Sequence, residues 1–264
     1  MPVIADDRAV SEAIGFILIL GLVLTGIGLV TLYGYPVLVK EQSSTDVKNM
    51  ERAMIVIQND MKSLCFKNVP YKESTLQVSG GTLEVIDFSE SKSSFKIKTT
   101  DGQRYPPSGQ LKLGELRYRS DRSTEVITLE NGAVITRQEG STGSAMLAEP
   151  RWFCDDDPIK DDKTFVIYIM NVTAGERMAK SGMTTVRMQL QETNTTVHNL
   201  SPQSKVTVTY TADTTNDHSV AWKNYLTSPM VDMTKKASSP PDAYEISDVD
   251  KLVIKEYRIE ILGI

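Results

Sequence analysis

Twenty-seven consecutive residues, Ala13 to Val39 (AIGFILILGLVLTGIGLVTLYGYPVLV), carry no charge. As a helix, the part ahead of Pro36, Ala13 to Gly34, rises about 33 Å, enough to cross a hydrocarbon core of about 30 Å. In lipid a single segment satisfies its own backbone only as a helix. The run is therefore expected to be a membrane span. The rest of the chain is polar, so a hydrophobic stem carries one head.

A secretory signal has a basic leader, a short apolar core and a small-residue cleavage site behind it. Here the leader is MPVIADDR, where Asp6 and Asp7 oppose Arg8, and no A-x-A follows the long run. The apolar segment is expected to stay on the mature protein. Its orientation has two readings. Lys40, Lys48 and Arg52 outweigh Arg8 and the amino terminus, which favours a cytoplasmic head. The glycosylation sequons at Asn171 (Asn-Val-Thr) and Asn194 (Asn-Thr-Thr) favour an external one, the reading adopted here.

Beyond the break signals Gly34 and Pro36, Val47, Met50, Met54, Ile57, Met61 and Leu64 recur at alternating spacings of three and four. That stripe predicts an amphipathic helix over Thr45–Cys65, laid on the head's sheet rather than wound into a coiled coil. Pro36 is expected to kink the stem or open its hydrogen-bond ladder.

From Ser74 the period changes from helical to two. Strands are expected at 75–78, 82–88, 94–99, 114–119, 124–130 and 133–137, then at 164–171, 184–192, 205–210 and 251–262. Ser79-Gly80-Gly81, Asp101-Gly102 and Asn131-Gly132 supply turns, and the last reads as a hairpin. The continuously apolar Thr164–Met170 suits a central strand, and Ser219–Leu226 a short helix. The stretches 140–162 and 234–242 read as a break and a loop. The fold class is α+β: a long N-terminal hydrophobic helix, kinked near Pro36, followed by a β-rich, antiparallel, sandwich-like head.

Chemistry is sparse. A net charge of -5 without a basic stripe argues against nucleic acid. No nucleophile elbow, phosphate loop or metalloprotease motif occurs. The SxxK match at Ser89–Lys92 lacks its companion motifs. His198 and His218 lie in polar stretches and read as solvated rather than catalytic. No cofactor is implied. Cys65 and Cys154 either form one disulfide, worth about 4 kcal/mol on a chain-entropy argument, or are unrelated buried thiols. Asp155, Asp156, Asp157, Asp161 and Asp162 crowd one short loop. They are a weak Ca²⁺ candidate, and a solvated acidic loop is the favoured reading.

The junction ahead of the apolar run reads Asp6-Asp7-Arg8-Ala9-Val10-Ser11-Glu12-Ala13-Ile14-Gly15. It resembles the N-terminus of archaeal type IV pilin-like proteins, over roughly residues 6 to 65. The head segments GELRYRS, ENGAVITR and AWKNYL are similar to archaeal pilin-like membrane proteins. The resemblance implies a class III signal cut by a prepilin peptidase near Arg8, Ala9 or Val10, although the usual glycine before the junction is lacking. It also implies a retained stem that packs with copies of itself or other pilins. Glu12 resembles the early pilin glutamate that meets a neighbouring subunit's amino terminus. The residues alone also allow Ser11 and Glu12 to cap a membrane helix.

The expected organisation is a leader over 1–9, a membrane or filament-core helix over 10–39, its amphipathic continuation over 40–65 and an extracellular β-rich head over 66–264. Two functions fit a single-pass protein of the cell membrane in contact with lipid. One is a non-catalytic pilin-like structural subunit or minor pilin. The other is a monomeric anchored module for extracellular binding or adhesion.

Overall fold

The structure, a computed structural model, describes residues 7–67, 69–107, 109–157, 162–237 and 242–264. The chain divides into two compact units, 1–45 and 46–264.

In the first unit, α1 (Asp7–Leu29) runs into a π-helical turn over Val30–Gly34, where Tyr35 N–H donates to the Val30 carbonyl. Helix α2 (Tyr35–Lys67) follows directly. Gly34 and Pro36 therefore do not end the helix. Pro36 has no N–H, and its ring crowds the carbonyl four residues back. The ladder accommodates this by shifting to i→i+5 bonds one turn earlier. The helix also outlasts the expected boundary at residue 65.

Among the described residues, the second unit holds the striped part of α2 and fifteen strands. In chain order they are β1 (Tyr71–Ile86), β2 (Ser94–Thr99), β3 (Arg104–Tyr105), β4 (Leu111–Lys112), β5 (Glu115–Ser120), β6 (Glu125–Glu130), β7 (Ala133–Gln138) and β8 (Ser144–Ala148). There follow β9 (Trp152–Asp157), β10 (Asp162–Ala174), β11 (Met178–Asn199), β12 (Val206–Thr211), helix α3 (Ser219–Leu226), β13 (Thr234–Lys235), β14 (Ala243–Ile246) and β15 (Lys251–Gly263). A nine-stranded sheet has the order β8-β7-β6-β5-β1-β11-β15-β10-β9, and a second sheet the order β13-β14-β12-β2-β3, with β4 also on β2.

Two cores lie on the two faces of the larger sheet. On one face Met50, Met54, Ile57, Met61 and Leu64 of α2 meet Leu83, Val85, Leu116, Val186 and Ile259, all buried. The 3-4 stripe thus packs on the sheet as its spacing requires. On the other face Phe95, Val208 and Tyr244 of the second sheet, with Trp222 of α3, meet Ile135, Trp152, Phe165 and Ile254. Strand β10 shows why Thr164–Met170 is apolar throughout. Val166, Tyr168 and Met170 enter the first core and Phe165, Ile167 and Ile169 the second. A strand covered on both faces loses the alternation of a half-exposed one.

Several expectations are corrected. Strand β10 lies next to the edge strand β9 rather than centrally, and it pairs with β15 in parallel, so the head is not wholly antiparallel. Ser79-Gly80-Gly81 does not end a strand. Strand β1 continues through it with a register shift between Val78 and Leu83 against β11. Gly81 tolerates no side chain there, since a Cβ would collide with the Arg119 carbonyl. The 140–162 break contains β8 and β9, which form the two ends of the nine-strand order. The 234–242 loop contains β13, and its residues 238–241 lie outside the described residues. The Asn131-Gly132 hairpin is present, with φ of 49° and 72° at its two central residues. Positive φ at both positions matches the right-handed twist of the flanking strands.

Candidate functional site: an apolar helix and a buried acid–histidine cluster

Two regions, one in each unit, depart from what an ordinary soluble fold requires. In the first unit the large apolar side chains from Ile14 to Leu38 are exposed around the whole helix. Phe16 is 67% exposed, Leu22 76% and Leu32 70%. An amphipathic helix would show one apolar stripe, whereas an all-round apolar surface belongs in lipid or among several neighbours. At about 1.5 kcal/mol per large side chain, leaving these groups in water would cost on the order of 20 kcal/mol. The two threonine hydroxyls of the run are satisfied within the helix. Thr25 Oγ1 donates to the Gly21 carbonyl at 2.7 Å and Thr31 Oγ1 to the Ile27 carbonyl at 2.9 Å. Tyr33 and Tyr35, both exposed, stand near the run's polar end, where amphipathic rings suit a membrane interface. This is one helix long and apolar enough to cross a membrane.

Arg8, Ala9 and Val10 lie on the backbone of α1, and Glu12 is exposed on it. Ser11 and Glu12 lie within the described part of α1, Asp7–Leu29.

In the second unit, polar side chains gather in the core between the sheets. Glu115 and Glu130 are directly paired positions on β5 and β6. Carboxylate oxygens of both, and a ring nitrogen of His218, lie within 4.8 Å of one another. All three residues are buried. Glu130 accepts from Ser93 Oγ at 2.8 Å, Trp222 Nε1 at 2.8 Å and Tyr210 Oη at 3.2 Å, and His218 Nδ1 stands 3.4 Å away. Arg117 pairs with Glu115 and reaches Asp213 at 3.9 Å. With the Asn216 amide turned so that its oxygen faces these donors, Oδ1 accepts from Arg117 Nε and His218 Nε2, each at 3.2 Å.

Burial pushes the Glu115 carboxyl up to about 7, with Glu130 adding to the rise and Arg117 opposing it. Burial also works against charge on Glu130. Its bond to and the charge of His218, with bonds from Trp222 and Ser93, outweigh that and hold it below the usual range. The spacing of Glu115, Glu130 and His218 could suit a cation. However, both Glu130 oxygens already accept side-chain donors, and Arg117 holds one Glu115 oxygen.

The cluster corrects the reading of His218 as solvated; His198 is half-buried at the end of β11. The head segments GELRYRS, ENGAVITR and AWKNYL contribute Glu115 with Arg117, Glu130, and Trp222, so the structure brings all three together.

Other expected sites are dispersed. Cys65 and Cys154 are free thiols. Cys65 belongs to the core under α2, whereas Cys154 packs on the opposite core, so the large sheet separates them and the disulfide reading falls. Asn171 is buried, and its Oδ1 accepts the Gly114 N–H at 3.0 Å, so it is a structural amide rather than a glycan acceptor. Asn194 is exposed on β11. Asp155 and Asp156 are exposed neighbours on β9 and so point to opposite faces, which does not build a Ca²⁺ cage. Asp162 on β10 stands 3.9 Å from Lys251. Asp161 and the Asp157 side chain lie outside the described residues.

No curated protein and no solved structure matches this chain. Residues 8–261 match the DUF7289 family, described as a family of unknown function. The match takes in both units, and the chain belongs to the DUF7289 family.

Proposed function

We propose that this protein is a single-span membrane protein with its head outside the cell, serving as a non-catalytic, pilin-like structural subunit or minor pilin. The observation that carries this reading is the all-round exposed apolar surface from Ile14 to Leu38, led in by Arg8-Ala-Val-Ser-Glu12. Before assembly, lipid covers that surface. After assembly, the stems of other copies or other pilins cover it, and Glu12 pairs with a neighbour's amino terminus. A carboxylate at the edge of lipid is costly unless it has such a partner. A prepilin peptidase would act at Arg8, Ala9 or Val10. Asn194, exposed on β11, is the remaining glycan acceptor in this reading.

The test combines surface labelling with assembly. A membrane-impermeant amine reagent should label head lysines such as Lys96 and Lys98 on intact cells. Glu12→Ala should leave membrane retention intact while depleting the protein from sheared surface filaments. Retention together with an unchanged, filament-free distribution for both forms would favour the anchored binding module instead. Labelling only after lysis would overturn the external head.

A further inference from the structure

The acid–histidine cluster buries two carboxylates, Glu115 and Glu130, at directly paired positions on β5 and β6. Glu130 accepts from Ser93, Trp222 and Tyr210 and stands 3.4 Å from His218 Nδ1, whereas Glu115 has Arg117 of its own strand, which also reaches Asp213 at 3.9 Å. Glu115 has fewer donors than Glu130. It is sealed beside Glu130, with carboxylate and imidazole atoms all within 4.8 Å. Two carboxylates this close in a dry core do not both ionise without a large penalty. A proton on Glu115 removes the repulsion between the two carboxylates, and its loss restores it.

The neighbourhood closes around this pair from several elements. Arg117 lies on the same strand, Glu130 on β6 and Tyr210 on β12, while Asp213 and His218 come from the segment ahead of α3. Arg137 on β7 holds that segment through the Thr215 carbonyl at 3.0 Å. Lys92 and Asp217 act from further away, through charge, on Asp213 and Tyr210.

We infer that Glu115 is a proton-controlled latch: its protonated form holds the 213–218 segment and α3 against the large sheet, and its ionisation loosens them. The head would thereby sense the pH of its surroundings. The raised value of the Glu115 carboxyl, near neutrality, supports the same direction.

The two tryptophans provide a reporter and a control. Trp222 donates its indole N–H to Glu130 Oε1 at 2.8 Å, whereas Trp152 donates to the Tyr168 carbonyl at 2.7 Å. The full chain, ¹⁵N-labelled in detergent micelles, is titrated from about pH 5 to about pH 9. The Trp222 indole resonance should move through one transition near neutrality while Trp152 stays nearly still. Amide exchange in 219–226, corrected for its intrinsic pH dependence, should be at least about tenfold faster on the alkaline side. Glu115→Gln should remove the transition and keep exchange slow throughout.

If Glu115→Gln does not fold, ¹³C titration of the wild-type glutamate carboxyls decides: one should have its midpoint near neutrality. A flat Trp222 resonance, a transition that persists in Glu115→Gln, unchanged exchange in α3, or glutamates that all titrate in the ordinary range would each overturn the latch.

Discussion

Glu115 and Glu130 stand opposite each other on adjacent strands, both sealed from water, yet their carboxyls are displaced in opposite directions. The native state holds a proton on Glu115 between its ordinary value of 4.5 and about 7, where the unfolded chain has released it. Its contribution therefore favours folding at low pH, declines as pH rises through that window and is flat above it. Glu130, held low, contributes stability above 4.5 that is lost as pH falls through its folded value. Denaturant midpoints measured across pH should show wild-type stability declining from about 4.5 to about 7 relative to Glu115→Gln. Parallel profiles for the two proteins would contradict the assignment.

Gln58 fastens α2 to the head. Its Nε2 donates to the Gly132 carbonyl at 2.6 Å and the Glu149 carbonyl at 3.0 Å, and the residue is buried. Gln58→Leu keeps the bulk but strands the Gly132 carbonyl, while Glu149 keeps its bond from Lys62 Nζ at 3.1 Å, so it should cost about 2 kcal/mol in chemical denaturation. A loss below about 0.5 kcal/mol would mean that the bonds are replaced by water or are absent.

The stripe on α2 makes a paired prediction. Met54 is fully buried, while Val56, two residues on, is 56% exposed. Met54→Ala should cost about 2–5 kcal/mol, and Val56→Ala should stay within about 0.5 kcal/mol. Equal effects would show that the helix does not present this face to the sheet.

Burial pushes the Cys65 thiol up to about 12, and burial also raises Cys154, which is half-exposed. Because the thiolate is the reactive form, iodoacetamide near neutral pH should leave Cys65 unmodified until the protein is unfolded and should modify Cys154 slowly. Reductant should leave the Tm unchanged. An intramolecular bridge found by non-reducing mass mapping would contradict the separation of the two thiols by the sheet.

Legibility followed local pattern. The α2 stripe, the Asn131-Gly132 hairpin, strand 94–99 and helix 219–226 each announce themselves within a few residues, and the structure contains all four. Strands β8, β9, β13 and β14 are short or lack clean alternation, and pairing with distant partners holds them in place. The parallel β10–β15 pair joins residues roughly 87 apart, a relationship no local period encodes.

The cluster was hidden for a related reason. In GELRYRS, Leu116 and Tyr118 supply the apolar phase, so Glu115 and Arg117 read as the solvent-facing phase of a half-exposed strand. Here the opposite face is covered by α3 and the second sheet, and the charged phase is internal too. His218 reaches Glu130 across 88 residues of sequence. The resemblance segments were the one pointer, since all three contribute to this cluster.

The central claim is that the apolar helix is the processed stem of a pilin-like protein, and the mass of its mature N-terminus tests this most directly. Surface-exposed protein, isolated intact and fragmented from its amino end, should begin at Ala9 or Val10, with Glu12 and the full apolar run retained. A surface protein that begins at Met1 or Pro2, or that lacks residues 13–39, would contradict it.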